Sequence, residues 1–160
     1  MKESDPDLRI CALRIARELK LDVIPFVENL VLDRSPAVRR ECAIALRQNA
    51  SSKAPKLWAQ LTLQYDGRDR WYLDALGIGA EGQWDQFFDA RLEAVGQQWD
   101  TPAGREVVWR SRSKKTPALL AKIISNKDLT AKARDHYFRS LDFINGPEKD
   151  AALLELLTLK

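Results

Sequence analysis

The chain is poor in the residues that carry most recognisable chemistry. Its 160 residues include only two cysteines and one histidine. Cys11 and Cys42 are too few for a disulfide framework or a structural zinc site. They also fall at different places in the helical pattern below, so both are expected as buried free thiols behaving as small hydrophobes. With His136 alone, no Ser/His/Asp or Cys/His arrangement can be assembled, and ligand spacing for a metal is missing. C-x-x-C-H, the haem-attachment motif, is absent as well. No segment approaches the ~20 apolar residues of a membrane span, which excludes insertion into a bilayer. Met1-Lys-Glu-Ser-Asp-Pro6 lacks the apolar core of a signal peptide, and the compartment stays open. No run alternates apolar and polar residues with a period of two, so strands are not expected. A net charge of +3 sets no strong overall field.

What is present is a repeated sentence. Asp33-Arg-Ser-Pro36 stops one helix and starts another: Ser35 is placed to accept from an orphan N–H, and Pro36 suits the first helical position. Val38, Cys42, Ala43, Ala45 and Leu46 then line one face at helical spacing. Anchored on Arg39, the pattern Arg-x-x-small-apolar-x-x-apolar covers Arg39, Cys42, Ala43 and Leu46. It recurs at Arg9, Ala12, Leu13 and Ala16; with Asp69 in the arginine column at Tyr72, Leu73 and Leu76; at Arg105, Val108 and Trp109, where Arg112 breaks the last place; and at Arg134, Tyr137, Phe138 and Leu141. The anchors step by 30, 30, 36 and 29 residues, the period of stacked helical pairs. An acid precedes the arginine by six residues in Glu3/Arg9, Asp33/Arg39 and Asp128/Arg134, a spacing that would lace neighbouring turns together.

This pattern, Asp-x-x-x-x-x-Arg-x-x-Ala-apolar-x-x-apolar with proline near the helix start, resembles the HEAT repeat. The resemblance implies a right-handed α-solenoid, in which an outer helix A and an inner helix B stack pair upon pair, here about five degenerate pairs. More narrowly, Asp66 to Gly82, Pro102 to Ser111 and Gly146 to Leu157 are similar to a helical segment of large planctomycete-type proteins. There it accompanies a sugar-dehydrogenase-like propeller and a haem c domain, which implies an extracytoplasmic parent that carries its haem elsewhere.

In chain order the all-α reading gives helices over about 6–18, 23–32, 36–48, 55–65, up to 76, 83–95, 102–112, 116–125, 130–144 and from 147 onward, the last carrying Leu153, Leu154, Leu156, Leu157 and Leu159. Asp5, Thr116 and Thr130 are expected as caps. Helices one, three, five, seven and nine bear the arginine and read as B helices. Residues 1–160 thus form one repeat domain that begins on a B helix and ends on an A helix, as expected of a piece cut from a longer array or of a chain associating through uncapped ends.

Gly77-Ile-Gly79-Ala-Glu-Gly82 matches G-x-G-x-x-G, but the dinucleotide fingerprint needs a strand before it. A helix precedes it here, so the glycines are expected to end that helix in left-handed geometry. Trp109 shares the column of Leu13, Ala43, Leu73 and Phe138 and is expected in the core. Trp71 lies in a mixed column with Cys11, Glu41, Val107 and His136, among Arg68, Asp69 and Arg70, and is a candidate contact anchor. Charge is uneven: nine Lys/Arg stand against two acids over residues 105–134, and five acids against Arg91 over 81–100. The outward B-helix columns hold Arg40, Arg47, Arg70, Arg110 and Arg139, with Arg14 and Arg17. The bland outcome is a solvated face paired with Glu41, Asp74, Glu106 and other acids. The functional one is a concave basic face for a partner. The leading expectation is a non-catalytic scaffold that presents this face, with Trp71, to a protein or to other domains of its parent, with no cofactor and no metal. The second is nucleic-acid binding, including a HEAT-like DNA glycosylase, which would need a basic groove, stacking aromatics and a carboxylate.

Overall fold

Proline at the first or second helical position, or an oxygen-bearing cap side chain, marks most of the helix starts. In the computed structural model, which describes residues 4–158, the regular structure is all helical: ten α-helices and no strand among the described residues. Glu3, used in the repeat pattern, and Leu159, assigned to the last helix, lie outside those residues. The helices are α1 (Pro6–Glu18), α2 (Ile24–Leu30), α3 (Pro36–Ala45), α4 (Ala54–Thr62), α5 (Arg70–Ala80), α6 (Trp84–Val95), α7 (Pro102–Arg110), α8 (Thr116–Ile124), α9 (Ala131–Arg139) and α10 (Pro147–Thr158). Asp5, Asp69, Thr101 and Thr130 each accept a hydrogen bond from an orphan N–H of the helix that follows.

Three capping and turn expectations are corrected. Ser35 makes no side-chain cap; Asp33 Oδ1 instead accepts from the Ser35 N–H at 2.8 Å and shapes the turn. Thr116 lies inside α8, where its buried hydroxyl donates to Ser111 Oγ at 2.8 Å. The glycines do not stop α5, which runs through Gly77 and Gly79 to Ala80; only Gly82 is left-handed, with φ +78°. Gly79 faces α3 so closely that a Cβ would stand 2.2 Å from the Ala43 carbonyl oxygen. The glycine therefore serves a tight helix crossing.

The chain divides into two units, residues 1–96 and 97–160. In the first, α1, α3 and α5 pack successively along one row, and α2, α4 and α6 along another. Leu13, Val27, Val38, Cys42, Leu46, Trp58, Leu61, Leu76, Phe87 and Phe88 fill the space between them. Trp58 Nε1 donates to the Leu76 carbonyl at 2.9 Å, so its indole is both packed and satisfied. Arg91 is buried on α6 with its guanidinium donating to Thr62 Oγ1 at 2.8 Å, and burial lowers its pKa to about 10.

In the second unit α8 is central, packed by α7, α9 and α10. Val107, Val108, Leu120, Ile123, Tyr137 and Leu141 are buried. The repeat columns fit less well here. Trp109 is only half-buried and Phe138 is exposed, against the expectation that both fill the core. Cys11 is exposed too, while Cys42 is buried as expected.

Candidate functional site

The outward arginines singled out by sequence lie on the odd-numbered helices or, for Arg47, just past the end of α3, and in the first unit each meets a carboxylate. The founding contact is the deepest. Arg9 of α1 donates from Nη2 to Asp33 Oδ1 at 3.0 Å, with Nε 2.8 Å from Oδ2; the two side chains are 5% and 9% exposed. Asp33 thereby joins the turn before α3 to the preceding odd helix, while Arg39 donates to the Asp33 carbonyl at 2.6 Å and lies over the Tyr72 ring. The expected lacing of turns is therefore present here, although the carboxylate binds the arginine of the neighbouring helix and not Arg39. In the second unit the spacing works differently: Arg134 donates to the carbonyls of Ile124 and Asn126 and closes the end of α8.

Outward from that contact runs a ladder of ion pairs. Arg14 and Arg17 both donate to Glu41, whose side chain is nearly buried, at 3.0 and 2.9 Å. Arg40 meets Asp69 at 2.9 Å, Arg47 meets Glu81 at 2.6 Å, and Arg70 lies 3.8 Å from Asp74. All of these links but the last bridge adjacent odd helices or the turn beyond them, so they fix the face as well as neutralise it. Trp71 stands among them with 74% of its surface exposed, and Ile78, two turns along α5, is exposed with it. An exposed tryptophan on a rigid, charge-matched helical face is an unusual surface feature.

The second unit holds a constellation that the sequence reading passed over. Glu106 of α7 accepts from the Tyr137 hydroxyl at 2.8 Å and lies 3.2 Å from His136 Nε2. The indole of Trp109 stacks on the imidazole, centroids 4.7 Å apart and 17° from parallel, and its Nε1 donates to the His136 carbonyl at 3.0 Å. Burial and the adjoining Glu106 carboxylate push the Tyr137 phenol well above its ordinary range, so it remains a hydrogen-bond donor. Glu106, His136 and Tyr137 form one wall of a cavity of about 570 Å³ also lined by Lys132, Asp135 and Arg139. The arrangement orients an imidazole and holds a carboxylate by two partners. The signal for it was the spacing of Glu106 from His136 and Tyr137, 30 and 31 residues, one repeat period.

The predicted site residues therefore fall into two groups. Arg40, Arg47, Arg70 and Trp71 share the odd-helix face of the first unit. In the second, Arg139 is exposed beside the Glu106–His136 cavity, and Arg110 is half-buried at the end of α7. No group of three or more His, Cys, Asp and Glu side chains that could hold a metal ion occurs among the described residues. Comparison with known proteins finds no matching family model, no matching curated protein and no matching solved structure.

Proposed function

We propose that the chain is a HEAT-like α-solenoid module that docks protein surfaces through its odd-numbered helices, with Trp71 as the anchor in the first unit. The observation that carries this reading is the pairing of Arg14, Arg17, Arg40, Arg47 and Arg70 with carboxylates around an aromatic left 74% exposed. A phosphate backbone is bound by cations free to release counterions to it. Arginines already held by acids serve that purpose poorly, whereas a stiff, largely charge-paired surface with a large aromatic suits a folded protein partner. The successive packing of odd helices on odd and even on even in the first unit supports the solenoid reading. The partner is another protein or a further domain of the larger parent implied by the resemblance to planctomycete-type haem c proteins.

The test uses a photo-crosslinking residue at Ile78, on the proposed face, and another at Lys56, on the even row. The expected result is a protein adduct from position 78, absent from position 56 and lost when Trp71→Ala is added. A hot-spot tryptophan carries about 2 kcal/mol or more, roughly a 30-fold loss of affinity. A salt-dependent mobility shift with duplex or single-stranded nucleic acid, without any Trp71-dependent adduct, would reverse the conclusion in favour of nucleic-acid binding.

A further inference from the structure

We infer that the groove between α8, α9 and α10 of the second unit binds a long-chain aliphatic carboxylate. Ile124, Phe138, Leu153, Leu156 and Leu157 line a cavity of about 680 Å³, inside the ~300–1,000 Å³ span of small-molecule pockets. Helix α10 leaves most of its apolar surface uncovered. Ala152 is its one buried residue among those described, and Leu157, beside the groove, is 81% exposed. Phe138, on the facing helix, is exposed as well. The groove is therefore an apolar trough with an open side.

Its polar lining is of one sign. The remaining lining groups are Ser125, Lys127 and Arg134, with no carboxylate among them. The Ser125 hydroxyl is engaged with the Ala121 carbonyl at 2.7 Å. Arg134 is fixed by donating from Nε to the Ile124 carbonyl and from Nη2 to the Asn126 carbonyl, at 3.0 and 3.1 Å. Those bonds orient the guanidinium without cancelling its charge, and its Nη1 N–H groups are not used in them. Lys127 has no acidic partner among the described residues. In the first unit the outward arginines are neutralised by acids; here two cations border an apolar trough with none. An aliphatic chain with an anionic head matches both parts: methylenes against the leucines and Phe138, the carboxylate against Arg134 and Lys127.

The experiment is titration calorimetry of the full chain with octanoate, decanoate and dodecanoate, each below its critical micelle concentration, and with dodecanol at matched concentration. One-to-one binding is expected, tightening about fourfold per added methylene until the trough is full. Dodecanol should bind at least about tenfold more weakly, since it cannot form the charge-assisted bonds. Lys127→Glu, an exposed substitution that leaves the circular dichroism unchanged, should weaken dodecanoate several-fold and leave dodecanol alone. Phe138→Asp should remove both. Equal affinity for acid and alcohol, multiple weak sites insensitive to Lys127→Glu, or no dependence on chain length would overturn the assignment. So would Phe138-dependent binding of an acidic amphipathic peptide by a chain that ignores dodecanoate.

Discussion

The Arg9–Asp33 contact should be the most consequential ion pair in the first unit, and Asp33→Asn isolates its charge. The substitution takes the carboxylate away from a guanidinium that is 5% exposed. Breaking a buried pair from one side costs about 3–5 kcal/mol. The geometry places this one at the lower end. Nη2 makes a direct hydrogen bond, but the Nε–H does not aim at Oδ2 although the atoms are 2.8 Å apart. The asparagine side chain retains an oxygen for the Ser35 N–H, so the turn survives; Asp33→Ala loses that bond too, adding about 1 kcal/mol. Adding Arg9→Met to Asp33→Asn removes the buried cation as well and should recover about 2 kcal/mol or more, a coupling that defines the pair.

The assay is hydrogen exchange of the α3 amides across a urea series at pH 7, which reports the opening of that helix. Asp69→Asn, in a pair whose side chains are 27–32% exposed, serves as the less buried control. It weakens the Arg40 pair but keeps an oxygen for the cap on Tyr72 N, so it should cost under about 1 kcal/mol. Acid provides a second reading. Burial alone would raise the Asp33 carboxyl, but the Arg9 hydrogen bond, the Ser35 amide and the charges of Arg9 and Arg34 outweigh it and hold it below the usual range. Its folded pKa is thus below its unfolded value of ~3.9. The stabilisation is present above about pH 4 and is lost as pH falls through the folded value. Asp33→Asn should flatten that acid limb. A cost below about 1 kcal/mol for Asp33→Asn, or simple additivity in the double variant, would refute the assigned role of the pair.

Gly79→Ala drives a methyl into the Ala43 carbonyl, 2.2 Å away, and should destabilise the first unit by about 1–3 kcal/mol. Gly82→Ala, in open space but with φ +78°, should cost only about 1 kcal/mol; equal costs in thermal melts would disprove the tight crossing. In the native protein Ellman's reagent should label Cys11 rapidly. It should reach Cys42, whose thiol burial pushes up to about 12, only on unfolding. Tyr137→Phe should leave phenolate absorbance unchanged below about pH 11, because burial and Glu106 already keep that phenol protonated. Since its folded pKa is raised, the stability it contributes is whole below the unfolded value near 10 and falls as pH climbs towards the folded one.

Helix starts were legible because their causes are local. Pro6, Pro36, Pro102 and Pro147 sit at or beside the first turn, and α1 was predicted over its observed range. Helix ends were less so. The reading carried α3 to Gln48, whereas the helix stops at Ala45. Leu46 and Arg47 then close back by three residues onto Ala43 and Ile44, and Gln48 takes φ 56°. Such tightening depends on what the following segment packs against, which periodicity does not encode. Gly79 misled for the same reason: a glycine that ends a helix and one that admits a neighbouring backbone read alike until the neighbour is known.

The site divides along the same line. That Arg40, Arg47 and Arg70 face outward followed from helical period, but that their charge is cancelled did not. The cancelling acids Asp69 and Glu81 stand 29 and 34 residues from Arg40 and Arg47, so the pairing is a property of helix packing and not of local spacing. In the second unit the columns themselves change meaning. Arg112 occupies the place that Leu46 and Leu141 fill elsewhere, and its guanidinium donates to the Trp109 and Ser111 carbonyls and the Ser140 hydroxyl. A polar knot of Ser111, Thr116 and Ser140 thus stands where a leucine would pack, and α9 gives way at Ser140 to a 3₁₀ turn. Trp109, half-buried here, stacks on His136, and Glu106 links α7 to α9 through His136 and the Tyr137 hydroxyl. The cavity beside His136 therefore lies in the unit where the repeat columns no longer predict burial, which is why periodicity alone did not announce it.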